Sequence, residues 1–272
     1  MRNCVFAIVL FCCIGPAYGQ SDSREDWTPE QWTEHFKLEA KEYKLTQTRS
    51  GRAFELQSKP LLNWTNPSNH QGLVFYWTLD GRPEVICSLF KYVVRDMPRE
   101  KHAMHSLSEL PLTADLRGLQ VWAPTEPGMS WFKPKVAAAT LESASPALQM
   151  RSVSRLYKVT MTQLDGTVSE LRLLPKPLLE YSSPSKKILQ GAIFAYATAT
   201  DPDAMLIVEI LEDAGKKRIQ SSFARSHYLA LRAVDSNGTE IWSVPFDDMS
   251  LNPAGTKAHL AKPYCSFSPV LR

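Results

Sequence analysis

The histidines, acids and aromatic rings of this chain set the range of chemistry open to it. His102 and His105 stand three residues apart, which on a helix places both imidazoles on one face. A metal site needs more ligands, and no cysteine or carboxylate stands at a helpful spacing, so no metal and no other cofactor is expected. Glu84 and Asp203 each follow a proline. Paired carboxylates can act as acid and base at the right separation, but an acid in a turn commonly bonds nearby backbone amides. Asp247 and Asp248 lack the dense oxygen-ligand loop that calcium requires. Gly-x-Ser-x-Gly, His-Glu-x-x-His, phosphate-loop and dinucleotide motifs are missing. The missing motifs count against an enzyme, although catalytic triads are defined by geometry and not by sequence order.

The chain also repeats itself. Lys59-Pro60-Leu61-Leu62-Asn63-Trp64 returns as Lys176-Pro177-Leu178-Leu179-Glu180-Tyr181. Gly72-x-Val74-Phe75-x-Trp77 answers Gly191-x-Ile193-Phe194-x-Tyr196, and Pro83-Glu84 answers Pro202-Asp203. Asp115-x-x-Gly118-x-x-Val121-Trp122 answers Asp235-x-x-Gly238-x-x-Ile241-Trp242, and Tyr43-Lys44-Leu45-Thr46 answers Tyr157-Lys158-Val159-Thr160. A tandem duplication is expected. His105-x-Leu107 aligns with His227-x-Leu229, and a histidine present in both copies suggests a backbone partner more than a metal. Trp77/Tyr196 and Trp122/Trp242 read as core rings, whereas Trp64 and Tyr181 lie in turn-rich stretches and are candidate ligand-binding rings, together with His105 and His227.

These residues need elements to hold them. Thr28-Pro29 reads as a helix start, with Trp32 and Phe36 on its apolar stripe, and Ser145-Pro146 opens the corresponding helix. Aromatic and β-branched runs follow each helix, among them Leu73 to Thr78, Val85 to Val94, Ala192 to Ala197 and Ala204 to Leu211. Short connections between them imply antiparallel pairing. The expected class is α+β: two tandem similar halves, each a helix packed on an antiparallel sheet of about five or six strands. The first half is assigned to residues 20–130, a Pro/Ala/Ser-rich linker to 131–145, and the second half with a Pro-rich tail to 146–272.

Residues 1–19 have the charged start, short apolar run and small residues of a signal peptide cleaved near Gly19. The apolar run is too short to span a bilayer comfortably, and no later segment is long and apolar enough. Export to the periplasm or the extracellular space follows, with no integral membrane segment after cleavage. Cys87 and Cys265 are then the remaining cysteines. Cys87 aligns with Leu206 and so reads as a small core residue, though a single Cys87–Cys265 bridge stays open. Without Arg2, the 31 basic residues fall to 30 against 28 acidic ones, a balance that argues against a nucleic-acid partner.

The phrases Phe54-Glu55-Leu56, Pro60-Leu61-Leu62-x-Trp64-Thr65-Asn66-Pro67, Leu171-Arg172-Leu173-Leu174-Pro175 and Gly191-Ala192-Ile193-Phe194-Ala195-Tyr196 resemble those of an uncharacterised family of exported bacterial proteins. The resemblance covers most of the mature chain and carries no known chemistry, so it transfers no functional residue. It implies a bacterial host.

Three functional readings remain. The first is an exported, non-enzymatic binding or structural protein of the cell envelope, with an envelope glycan or protein as partner and its ligand in the groove between the halves. The second is a hydrolase built from polar residues the halves do not share, with His70, His102, Asp247 and Asp248 as candidates. An assembly subunit, a third possibility, would show a large apolar patch or an open edge strand.

Overall fold

The computed structural model describes residues 24–135, 144–248 and 260–269. The signal-peptide assignment lies outside the described residues, as does 136–143 of the expected linker.

Helix α1 (Pro29–Lys41) starts as its sequence dictates. Thr28 Oγ1 accepts from the Gln31 N–H, and the Gln31 side chain accepts from the Thr28 N–H, a capping box with Pro29 in the first turn. Eight strands follow: β1 (Tyr43–Gln47), β2 (Glu55–Leu56), β3 (Leu62–Thr65), β4 (Gln71–Leu79), β5 (Arg82–Val94), β6 (Met97–Ser106), β7 (Leu112–Leu116) and β8 (Leu119–Trp122). The second half runs α2 (Pro146–Ser154), β9 (Tyr157–Thr162), β10 (Val168–Glu170), β11 (Arg172–Leu173), β12 (Leu179–Ser183), β13 (Ile188–Ala197), β14 (Pro202–Asp213), β15 (Lys216–Arg225), β16 (Ala230–Asp235) and β17 (Glu240–Val244). A last strand, β18 (Tyr264–Phe267), returns to the first half and pairs with β6.

The α+β expectation is overturned. Among the described residues, strands take 51% and helices 13%, with two α-helices. The physical reason lies in what closes each core. In the first half, β2 to β6 with β18 form one antiparallel sheet, and β1, β7 and β8 form a second. Phe75, Trp77, Cys87 and Met104 of the larger sheet meet Leu45, Leu112, Ala114 and Trp122 of the smaller one in a single buried cluster. Helix α1 adds Trp32, Phe36 and Ala40 to that cluster but does not make a layer. The second half repeats the plan, with β11 to β15 as the larger sheet and β9, β10, β16 and β17 as the smaller. Each half thus splits its strands between two sheets, where the sequence suggested one.

The order of α-helix and strands is the same in both halves apart from β10. Register irregularities also recur: at Trp77/Thr78 and Tyr196/Ala197, and at Ala114/Asp115 and Ala233/Val234. The Asp-x-x-Gly turns form as composition requires. Asp235 Oδ1 accepts from the Asn237 and Thr239 N–H groups at 2.9 and 3.0 Å, and Gly238 takes a positive φ of 78°.

Cys87 and Cys265 are free and buried. Both lie opposite Met104, one on each side of β6. Two strand spacings put their Cα atoms about 9–10 Å apart, beyond the ~7 Å a disulfide spans. A chain starting at residue 20 is therefore expected to titrate two thiols after denaturation and to react slowly when folded. A bridged species in a non-reducing mass spectrum would contradict the register.

The outward faces of the two larger sheets pack on each other. Val74, Ile86 and Leu107 from the first half meet Ile193, Met205, Ile207 and Ala224 from the second in a third apolar cluster. Polar groups surround that cluster, and the candidate site lies among them.

Candidate functional site between the halves

The contact between halves is reciprocal. The β4–β5 turn of the first half reaches β12, where the Ser183 hydroxyl donates to Asp80 O at 2.7 Å. The β13–β14 turn of the second half reaches β3, where the Thr200 hydroxyl donates to Thr65 O at 2.7 Å and accepts from the Thr65 N–H at 3.1 Å. Each turn carries one side chain into the other half: Arg82 from the first, Asp201 from the second. These two residues hold the same place, directly before the matched Pro83 and Pro202.

Arg82 fills its slot. Its Nε donates to Glu209 Oε1 at 2.8 Å and its Nη1 to Leu107 O at 2.9 Å, and its guanidinium lies 5.6 Å from the Trp131 ring centre. The Tyr181 hydroxyl and the Gln220 amide donate to the same Glu209 carboxylate at 2.8 and 2.9 Å. Glu84 lies 3.3 Å from Arg82 and pairs with Lys186. Arg82, Glu84 and Glu209 are each at most 3% exposed. Burial opposes the guanidinium charge, but Glu209 and Glu84 outweigh it, so Arg82 is held charged.

The counterpart slot is open. Asp201 is three atoms shorter than an arginine along its chain and stops at the Asn66 amide, 3.4 Å away. In place of Glu209 stands Phe90, in place of Gln220 stands Lys101, and in place of Tyr181 stands Trp64, as the strand registers require. A cavity of about 200 Å³ remains. Its floor is the β5–β6–β18 face, where Ser88, Phe90 and Tyr92 alternate along β5, Lys101 and Ala103 along β6, and Tyr264 and Ser266 along β18. Its walls are Asn66 and His70 from the β3–β4 loop, Asp201, and Ser226, His227 and Tyr228 from the β15–β16 turn.

The ionisable groups of this pocket are mostly uncharged at neutral pH. Burial, with the nearby Asp203 charge, pushes the Asp201 carboxyl up to about 8. Asp203 is pushed up to about 6 by burial, although the Thr198 N–H, which donates to it at 2.7 Å, opposes the rise. Burial lowers His227 to about 4, helped by Arg225 and Lys101, and lowers His70 as well, helped by Lys91. Burial lowers the pKa of the Lys101 ammonium, against the opposing pull of Asp247, and the ammonium lies near the Tyr92 and Tyr228 rings, 5.7 and 6.0 Å from their centres.

The four expected ligand-binding residues separate. Trp64 and His227 line this pocket. Trp64 is buried, and its Nε1 donates to Ser88 Oγ at 3.1 Å. His227 accepts from the Leu229 N–H at 3.1 Å and stacks on Tyr228 with ring centres 4.5 Å apart. Tyr181 belongs instead to the Arg82 slot. His105 lies near the end of β6, with its Nε2 3.0 Å from Gly128 O, and lines a second, larger and more open hollow with Arg225 and Trp242. Its pKa is lowered to about 4, chiefly by burial. His105 and His227 are not counterparts. Leu107 N–H donates to Glu84 O as Ser226 N–H donates to Asp203 O, which places Ala224 opposite His105. The shared His-x-Leu is a three-residue slip.

Trp64 and Tyr181 match because each lies on a glycine. Trp64 pairs across the sheet with Gly72, and Tyr181 with Gly191. A Cβ at Gly72 would fall 2.6 Å from Phe90 Cβ and 2.8 Å from the Trp64 ring; at Gly191 it would fall 2.3 Å from the Tyr181 ring. Gly72→Ala is expected to destabilise by about 1–3 kcal/mol through overpacking, read as a lower midpoint in thermal denaturation. An unchanged midpoint would show that the ring does not rest there.

The expected acid pair does not converge on a cleft. Glu84 lies on β5 and Asp203 on β14, both buried in strands where turns were expected, and each is bonded as described above. The hydrolase candidates scatter as well. His70 lines the pocket, Asp247 is buried near Lys262 and Lys101, and Asp248 is exposed. His102 faces the first core, between the Tyr43 hydroxyl at 2.5 Å and Glu100 at 2.9 Å. Its partner carboxylate stands two residues away at strand spacing, which a helical reading misses. Glu39, Glu100 and His102 bring ligand-type atoms within 4.8 Å of one another. The Arg24 and Arg117 guanidinium groups already pair with the two carboxylates, so the group reads as an ion-pair cluster tying α1 to β6.

No family model, curated protein or solved structure matches the chain. No helix among the described residues is long and apolar enough to cross a membrane.

Proposed function

We propose that this chain is an exported, non-enzymatic binding protein whose ligand sits in the pocket between its halves. One observation carries the reading: of two corresponding slots, one is filled by Arg82 of the chain itself and the other is left open, lined with rings and hydrogen-bonding groups. A concave site with aromatic walls and a few convergent polar groups is the usual form of a small-molecule site. Duplication of one half accounts for two corresponding slots, and the shorter side chain of Asp201 where the other slot has Arg82 accounts for one of them being open. Binding is favoured over hydrolysis because His70, His102, Asp247 and Asp248 do not form one group.

The test is a ligand-observed NMR screen of the chain from residue 20 against mixed sugars, organic acids, amines and aromatic compounds. Hits are repeated on Ala103→Leu, which fills the floor, and on Tyr228→Ala, which removes a wall. Binding that both variants weaken at least tenfold supports the reading. A screen without hits, or hits indifferent to both variants, overturns it.

A further inference from the structure

We infer that the pocket takes one ring of a neutral saccharide, held against aromatic faces by uncharged hydrogen-bonding groups. This rests on the binding reading above and names its ligand class. Three features of the open slot lead there.

First, the charge that defines the closed slot has no counterpart in the open one. Where Glu209 receives the Arg82 guanidinium, the open slot presents Phe90, so it has not inherited a seat for a cation. Second, the positive charge that borders the pocket already has its company. The Lys101 ammonium rests near two tyrosine rings with the Asp247 carboxylate in range, and although burial still lowers its pKa, these neighbours meet part of what a ligand anion would supply. Asp201 reinforces this: as a protonated acid it offers both a donor and an acceptor, matching a sugar hydroxyl, and a ligand carboxylate would gain less from it. Third, the apolar lining of the pocket is aromatic. Phe90, Tyr92 and Tyr228 are partly exposed toward the cavity, and ring faces suit the C–H faces of a pyranose. Asn66, His70 and Ser226 stand around them as uncharged partners for hydroxyl groups. A volume of about 200 Å³ suits a single ring, with the remainder of a glycan outside.

The experiment is calorimetric titration of the chain from residue 20 with maltose, cellobiose and N,N′-diacetylchitobiose as neutral probes, and with glucuronate and agmatine as charged ones. Saturable binding of at least one neutral disaccharide is expected, weakened at least tenfold by Tyr228→Ala and little changed by Tyr181→Phe, which alters the closed slot. Glucuronate or agmatine binding in place of the neutral probes, if sensitive to Tyr228→Ala, overturns the saccharide class and leaves the pocket as a binding site. Neutral binding that ignores Tyr228→Ala places the sugar elsewhere and overturns the inference. If none of the five probes binds, the saccharide class falls, and the broader screen decides whether the binding reading falls with it.

Discussion

Arg82→Ala is expected to cost about 3–5 kcal/mol of folding stability, because it leaves buried carboxylates without their cation. Glu209 would keep Tyr181 and Gln220 as donors, and Glu84 would keep Lys186, but neither neutral donor replaces a full charge. The loss should appear in urea denaturation as a lower midpoint. The slot joins the two halves, so the variant should also loosen their contact and expose the Val74–Ile193 cluster to hydrogen exchange. A control separates loss of charge pairing from loss of volume. Replacing the pair together, as Arg82→Met with Glu209→Leu, should recover a large part of the stability, since an apolar pair often substitutes for a buried ion pair. A loss below about 1 kcal/mol for Arg82→Ala would mean that the guanidinium is solvated. That result would remove the contrast between closed and open slots on which the functional reading stands.

The second large effect concerns pH. The Asp201 carboxyl titrates near 8 in the folded chain against an ordinary value of 3.8. Between those values the unfolded chain has lost the proton that the folded chain keeps. The folded state therefore binds more protons, and stability attributable to this group falls as pH rises from about 4 to about 8. Asp203 acts in the same direction over a narrower window, from 3.8 to about 6. His105 and His227 act in the opposite direction, gaining stability as pH rises from about 4 to 6.5, because they fold neutral. The group is best isolated by difference. Asp201→Asn keeps the shape and the partner Asn66 but cannot ionise. Relative to the parent it should be little changed at pH 4 and more stable at pH 9, by about 1–3 kcal/mol after allowance for solvent reaching a partly open site. Saccharide binding by the parent should weaken above pH 8, where Asp201 loses its donor, while the variant should bind with little pH dependence there. A stability difference that is flat from pH 4 to 9 would show that Asp201 titrates as an ordinary surface acid.

Much of the local structure was legible. Thr28-Pro29 announced the first helix through its cap chemistry, and Asp-x-x-Gly announced its turns through side-chain acceptance and positive φ. The matched Trp77/Tyr196 and Trp122 are core rings, as apolar runs inside strands imply. The fold class is not legible along the chain, because a helix start is conspicuous while short strands such as β2, β7 and β8 leave little period to read. The site was legible only in part. Comparing the halves directs attention to places where they disagree, and Arg82 against Asp201, directly before the matched prolines, is such a place. The His-x-Leu match pointed the other way, because three residues of similar text carry no register. Nothing along the chain indicated that His70, Lys101, Asp201 and Tyr264 meet.

The sequence by itself determined the local choices: where helices begin, where turns form, and which residues are apolar enough to be interior. It also contained the echo from which two similar halves are expected. Local backbone chemistry and burial preference act over a few residues, so a linear reading captures them. Only the tertiary structure decided how strands divide between sheets, that β18 returns to the first half, and that one slot is closed by Arg82 while its counterpart stays open beside Asp201. Those outcomes depend on contacts between residues more than a hundred positions apart. There, side-chain length and charge are tested against a surface that exists only once both halves have folded.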